Sequence, residues 1–158
     1  MDKETASIAL VIIAILAVFA AISPLIQYNQ ENFSELGILG AQKTISGYPT
    51  TVGENQTFLL YAYVGNHEGY AEYYSLQVKL GNASTAISNS TSANLPVMQA
   101  YSYVLDSGGN VTFPMSLSIN HVGTTQRLIF ELWMFNTTSS SFTYTGLFNQ
   151  IWINVTAS

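Results

Sequence analysis

Few residues in this chain could do acid–base or metal chemistry. The histidines are His67 and His121, and beyond residue 30 the acids are Glu31, Glu35, Glu54, Glu68, Glu72, Asp106 and Glu131. His67, Glu68 and Glu72 put three metal-type ligands around one turn. Zinc needs three or four ligands in a fixed geometry, and no further His and no Cys lies nearby, so this segment reads as a solvated turn. Asp106-Ser107-Gly108-Gly109-Asn110 has residue types found in calcium loops but is too short to end in a bidentate acid. It reads as a hairpin turn. Ser, His and acid types are all present, but no nucleophile elbow is. Glu131 stands mid-strand between Phe130 and Leu132. It reads either as a buried, perturbed acid or, the favoured reading, as an outward-facing charge with Arg127 on the same face forming a weak surface ion pair. No catalytic, cofactor-binding or metal residue is assigned, and neither an enzyme activity nor a cofactor is expected.

The chemistry that the sequence does advertise is modification. Asn-x-Ser/Thr, with x not Pro, occurs at Asn32, Asn55, Asn82, Asn89, Asn110, Asn136 and Asn154, each an acceptor for an N-linked glycan. Turns favour Asn, Ser and Thr in any case, so position matters more than number. Asn55, Asn82, Asn110 and Asn136 fall at expected strand ends or turns, Asn89 in a polar loop and Asn32 in a linker. Asn154 alternates with Ile151, Ile153 and Val155 and is expected to face outward. Charged residues are only 8% of the chain and the net charge is −5. Four cations, Lys3, Lys43, Lys79 and Arg127, leave no electrostatic footprint for nucleic acid. The absence of Cys excludes a disulfide framework and a thiolate site.

Two kinds of element must carry these residues. Ile8 to Ile26 is uncharged, with Ser23 its only polar residue and Pro24 near its end. As a helix, about 19 residues rise about 28 Å, close to the hydrocarbon thickness of a bilayer. The expected organisation is a cytoplasmic tail over 1–7, a transmembrane helix over 8–26, a linker over 27–35 and an extracytoplasmic domain over 36–158. Lys3 before the apolar run and the sequons after it point to N-terminus inside, C-terminus outside. A cleaved signal peptide is the competing reading; the run is long for one, and Gln27-Tyr28-Asn29-Gln30 offers no small-x-small cleavage site.

The remainder alternates short apolar runs with turn residues, the pattern of a sandwich. Strands are expected over Leu36 to Ile45, Thr57 to Val64, Glu72 to Leu80, Val97 to Leu105, Val111 to Ile119, Arg127 to Phe135 and Phe142 to Val155. The last is read as two strands or as one bent at Gly146, and a further short strand is expected around Thr85 to Ile87. Tyr48 to Asn55 and Asn66-His67-Glu68-Gly69 read as turns. Pro114 cannot donate to a ladder, so its strand is expected at an edge or bulged. Seven or eight antiparallel strands in this length make an immunoglobulin-like β-sandwich. Tyr61, Tyr63, Tyr73, Tyr101, Tyr103 and Trp152 lie on the second faces of their strands. There they either form an exposed partner surface or cover a small sandwich poor in charge.

Three motifs carry a resemblance. Tyr48-Pro49-Thr50 with Val52-Gly53-Glu54 leads into a strand. Val64-Gly65-Asn66-His67-Glu68-Gly69 ends in a Tyr-rich strand, and Gln77-Val78-Lys79-Leu80-Gly81-Asn82 closes the unit. Behind an apolar helix, these resemble the archaeal membrane-protein family called domain of unknown function 1616, covering Ile8 to Asn82 well and the rest loosely. The resemblance implies an archaeal source, a surface location and this fold, with no activity attached. Few charges and much Ser, Thr and Asn would suit an acidic exterior.

The function expected from all this is a non-enzymatic, single-pass, membrane-anchored cell-surface glycoprotein. Its partners are the lipid bilayer through Ile8 to Ile26, other envelope or membrane-complex proteins or copies of itself, and N-linked glycans. The alternative is a pilin- or archaellin-like filament subunit whose N-terminal helix packs in a filament core. Met1-Asp2-Lys3-Glu4-Thr5-Ala6 fits the processing site of such subunits poorly.

Overall fold

The structure, a computed structural model, describes residues 31–157 together with residues 12, 13, 15–18 and 20. The latter are helical, and Ile12, Ile13, Ile15, Leu16 and Val18 are exposed. The expected transmembrane helix over 8–26 and the tail over 1–7 lie largely outside the described residues. Among those described, no helix is long and apolar enough to cross a membrane. A separate compact unit runs from Asn32 to Ser158, so it takes in part of the segment expected to be linker.

Eight strands follow in order: β1 (Ser34–Leu39), β2 (Thr51–Gly53), β3 (Phe58–Asn66), β4 (Glu72–Gly81), β5 (Val97–Leu105), β6 (Asn110–Leu117), β7 (Gly123–Asn136) and β8 (Ser141–Thr156). They form a three-stranded sheet, β1-β3-β6, and a five-stranded sheet, β2-β8-β7-β4-β5. The order β8-β7-β4-β5 is the G-F-C-C′ order of an immunoglobulin-like sandwich, and β1-β3-β6 is its A-B-E sheet. The sandwich part of the expected fold is therefore as expected, with one exception. β2 pairs parallel to β8, within a segment expected to be only a turn.

Alternation decides which residues meet between the sheets. Leu60, Ala62 and Val64 of β3 and Phe113, Met115 and Leu117 of β6 face Tyr74, Leu76 and Val78 of β4 and Leu128, Phe130 and Leu132 of β7. Val52, Ile119, Ile153 and Val155 form a second, smaller cluster. At about 25 cal/mol per Å² of apolar surface, this burial holds the sheets together without a disulfide.

Several local expectations are corrected. β1 ends at Leu39, not Ile45, because the chain turns at Gly40, whose N–H bonds the Thr44 carbonyl at 2.8 Å. No strand forms at Thr85 to Ile87; Ser88 and Thr91 make one isolated bridge instead. The turn Asp106 to Asn110 is not a hairpin, since it carries the chain from β5 in one sheet to β6 in the other. Gly108 takes φ +78° there, and its N–H bonds the Asn66 carbonyl at 2.7 Å. Pro114 does lie on an edge strand, β6. β8 is a single strand with Gly146 at φ +85°, beside a register shift between Glu131 and Trp133.

Candidate functional site

Glu131 is fully buried on the outer face of the five-stranded sheet, contrary to the expectation that it points to solvent. Its neighbour on that face is Lys79 of β4, whose Nζ lies 2.7 Å from Glu131 Oε2. Trp133 Nε1 donates to the same oxygen at 3.0 Å, and the indole ring lies 5.3 Å from the ammonium. Arg127, the partner expected from sequence, is elsewhere. It donates to the Gln150 side chain and to the Thr85 carbonyl, and lies over Trp152.

The cover over this pair is the β4–β5 connection, residues 82–96. Ala93 is 2% exposed. Its N–H donates to Glu131 Oε1 at 2.6 Å and its carbonyl accepts from Lys79 Nζ at 2.8 Å. The Tyr144 hydroxyl donates to the Ser88 carbonyl at 2.9 Å. Burial, with the nearby Glu131 carboxylate adding to it, pushes that phenol up to about 12. Gly146 is where the loop touches β8: a Cβ there would strike the Asn89 carbonyl. Each charge of the pair thus holds a backbone group of Ala93: the N–H has Glu131 as its acceptor, and the carbonyl takes Lys79 beside the Leu95 N–H at 2.9 Å. The chemistry available is structural: the pair fastens a polar loop to a sheet.

His67, Glu68 and Glu72 do not converge into a metal site, and among the described residues no group of three His, Cys, Asp or Glu is placed to hold a metal ion. Instead the 66–70 turn is tied to the start of β1. His67 Nε2 lies 3.3 Å from Glu35 Oε2, which also accepts from the Tyr63 hydroxyl at 2.8 Å. That bond raises the Tyr63 phenol above its ordinary value. Phe33 stacks on His67 at 4.6 Å, and Ser34 Oγ donates to Glu68 at 2.6 Å. Asn66, fully buried, donates to the carbonyls of Tyr70 and Leu105. Glu72 is raised above the ordinary carboxyl range, chiefly by burial.

All seven sequon asparagines, Asn32, Asn55, Asn82, Asn89, Asn110, Asn136 and Asn154, are exposed. At Asn82 and Asn136 the side-chain oxygen accepts local hydrogen bonds, from Ser84 and from Thr138 and Ser139, and at Asn154 it accepts one from Thr125 of β7. The amide nitrogen, to which a glycan would be joined, is the other end of the group.

The aromatics divide. Tyr101 and Tyr103 point inward and pack on Phe113 at 5.3 and 4.5 Å. The buried Tyr101 hydroxyl has no hydrogen-bond partner among the described residues, and burial raises its pKa. Tyr73, Phe135 and Phe142 cluster on the outer face, with Tyr73 40% exposed. Beside Tyr73 in the register stands Val104 of the edge strand β5, 68% exposed.

The family described as Domain of unknown function (DUF1616) matches residues 27–154. The chain belongs to this family. The match begins after the apolar run and continues past Asn82 to the final strand, so it covers the part that the sequence motifs carry only loosely. Among curated proteins nothing matches. Of solved structures, the chain is similar to the CARDB domain of a Pyrococcus furiosus protein in complex with di-metal ions, at 11% identity, over 79% of this chain and 89% of that one, with a TM-score of 0.48. It is also similar to the C-terminal domain of wzt, at 14% identity over 83% and 81% with a TM-score of 0.49. A Listeria innocua beta-glucosidase matches at 15% identity over 78% of this chain and 16% of its own, with a TM-score of 0.45.

Proposed function

We propose that this member of the family is a non-enzymatic surface module. It is anchored in the cell membrane by residues 8–26, carries N-linked glycans on its outward-facing sandwich, and makes protein–protein contacts in an archaeal envelope or membrane complex. The observation that carries the reading is the exposure of every sequon asparagine. Seven acceptors scattered without regard to the fold would be expected to leave some buried. The charged groups support the same reading: Lys79 and Glu131 are spent on fixing a loop, and His67 and Glu35 on fixing the start of a strand, while Val97, Met98 and Val104 of the uncharged β5 are exposed.

Mass spectrometry of the native protein tests this. The expected result is an intact or Met-trimmed N-terminus, found in detergent-extracted membranes, with glycan mass on the sequon peptides. A processed N-terminus in the sheared extracellular fraction would overturn the anchored module and make the chain a filament subunit.

A further inference from the structure

Of the four strands that end the two sheets, β1, β6 and β2 carry a device against strand addition, β2 covering β8 only at Asn154 to Thr156. On β1 the carbonyls of Leu36 and Ile38 accept from the Asn149 amide and the Tyr48 hydroxyl, at 3.2 and 2.6 Å. β6 has Pro114, which has no N–H to offer, and β2 is three residues long. Short strands, proline and capped edges are the usual means of blunting an edge.

β5 has none of these between Gln99 and Val104. Val97–Leu105 contains no charge and no proline. Among the described residues no side-chain hydrogen bond reaches its backbone before the Leu105 carbonyl, which Asn66 caps. Its outer-face residues Ala100, Ser102 and Val104 are exposed. No sequon lies between Asn89 and Asn110, so glycans on the acceptors would not stand on this strand.

We propose that β5 pairs antiparallel with β5 of a second copy of this chain, about a two-fold axis at Ser102, joining two five-stranded sheets into one. Ala100-Tyr101-Ser102-Tyr103-Val104 is nearly the same read in either direction. Across the axis Ser102 faces its own equivalent, Tyr101 faces Tyr103, and Ala100 faces Val104. These are small-polar, aromatic and aliphatic cross-strand pairs. A two-fold contact sets a segment against itself, so charge of one sign on it would repel, and this strand has no charge. The register shift near Met98, between Val78 and Lys79, interrupts the regular ladder at the start of β5 and confines pairing to the stretch around Ser102. A two-fold contact uses β5 of both copies, so addition through this edge stops at two copies and does not run on into a fibre.

The inference rests on the interaction-module reading and names the partner. It is measured on purified chain, so a monomer would overturn it while membrane location and glycan mass still decide that reading separately. The test is sedimentation of the full chain in detergent, with three variants. The wild type is expected at twice the monomer mass. Ala100→Lys/Val104→Lys sets Lys against Lys twice and is expected to be monomeric. Ala100→Lys/Val104→Glu sets opposite charges together and is expected to stay dimeric, which separates register from loss of apolar surface or of folding. Ser102→Cys, in a chain with no other Cys, is expected to form an intermolecular disulfide, because directly opposed strand residues lie about 4.5–5.5 Å apart, within disulfide reach. A monomeric wild type, a Lys/Lys variant as dimeric as wild type, or a Lys/Glu variant as monomeric as Lys/Lys would each overturn the proposal.

Discussion

The outer face of the five-stranded sheet has two halves that treat water in opposite ways. In one, two full charges, Lys79 and Glu131, are sealed under residues 82–96. In the other, Tyr73 and Val104 are left bare. An ordinary surface would reverse this, keeping charge in water and apolar groups inside. The covered half spends its charges on holding backbone groups of a loop, which gives that loop one fixed position. The open half keeps its apolar surface free, as the proposed pairing with a second copy requires. The contrast separates a part of the sheet fixed by its own loop from a part left uncovered.

The comparison breaks most sharply at Glu131. Glu131→Ala strands Lys79 in a dry site and frees the Ala93 N–H, and is expected to cost about 3–5 kcal/mol, read by urea unfolding of the full chain in detergent. Lys79→Met/Glu131→Met removes both charges and is expected to recover most of that loss, because a buried pair replaced by apolar groups is often neutral. A double variant no better than Glu131→Ala would mean that the Ala93 contacts matter more than the pair. Gly146→Ala tests how closely the loop lies on β8. It adds a side chain at positive φ and against the Asn89 carbonyl, for an expected loss of about 1–3 kcal/mol.

Smaller effects sharpen the same picture. Tyr144→Phe removes the hydrogen bond to Ser88 and is expected to cost about 1 kcal/mol at pH 7. The Tyr144 phenol is raised in the folded state to about 12, so its contribution is full below the unfolded value near 10 and is lost as pH rises through 12. The deficit of Tyr144→Phe relative to wild type is therefore expected to shrink across that window in denaturation curves. The least effect is expected at the far end of β4. Burial raises Glu72 above its usual 4.5, so its protonated form is the one favoured by folding. That contribution is present at acid pH and lost as pH rises through the folded value. Glu72→Gln is expected to raise Tm slightly at pH 7, with no gain below about pH 4. A gain that instead persists at acid pH would show that Glu72 acts by something other than its charge.

Much of this was legible in one dimension. Period-two alternation in Phe58 to Val64 and in Tyr74 to Leu80 identified core faces, because successive strand side chains must point opposite ways. Pro114 marked an edge strand, because it lacks a donor, and Gly69 a turn with positive φ. Turn chemistry at Asn55, Asn82, Asn110 and Asn136 put those sequons at the surface, and alternation did so for Asn154.

Pairing across sequence distance was not legible. Glu131 looked like an outward charge because its own strand neighbours alternate around it. Its burial depends on a loop whose Ala93 is 38 residues away and on Lys79, 52 residues away. The parallel contact of β2 with β8 hides for the same reason, since three residues among turn formers carry no period. Nor does alternation say which strand lies at an edge. β5 reads like any other apolar strand, and only the order β2-β8-β7-β4-β5 leaves one side of it unpaired. Local sequence thus determined strand faces, turns and acceptor sites, which depend on adjacent residues. Burial of the ion pair and the bare edge were decided by tertiary structure, because both depend on which distant segments come to lie alongside.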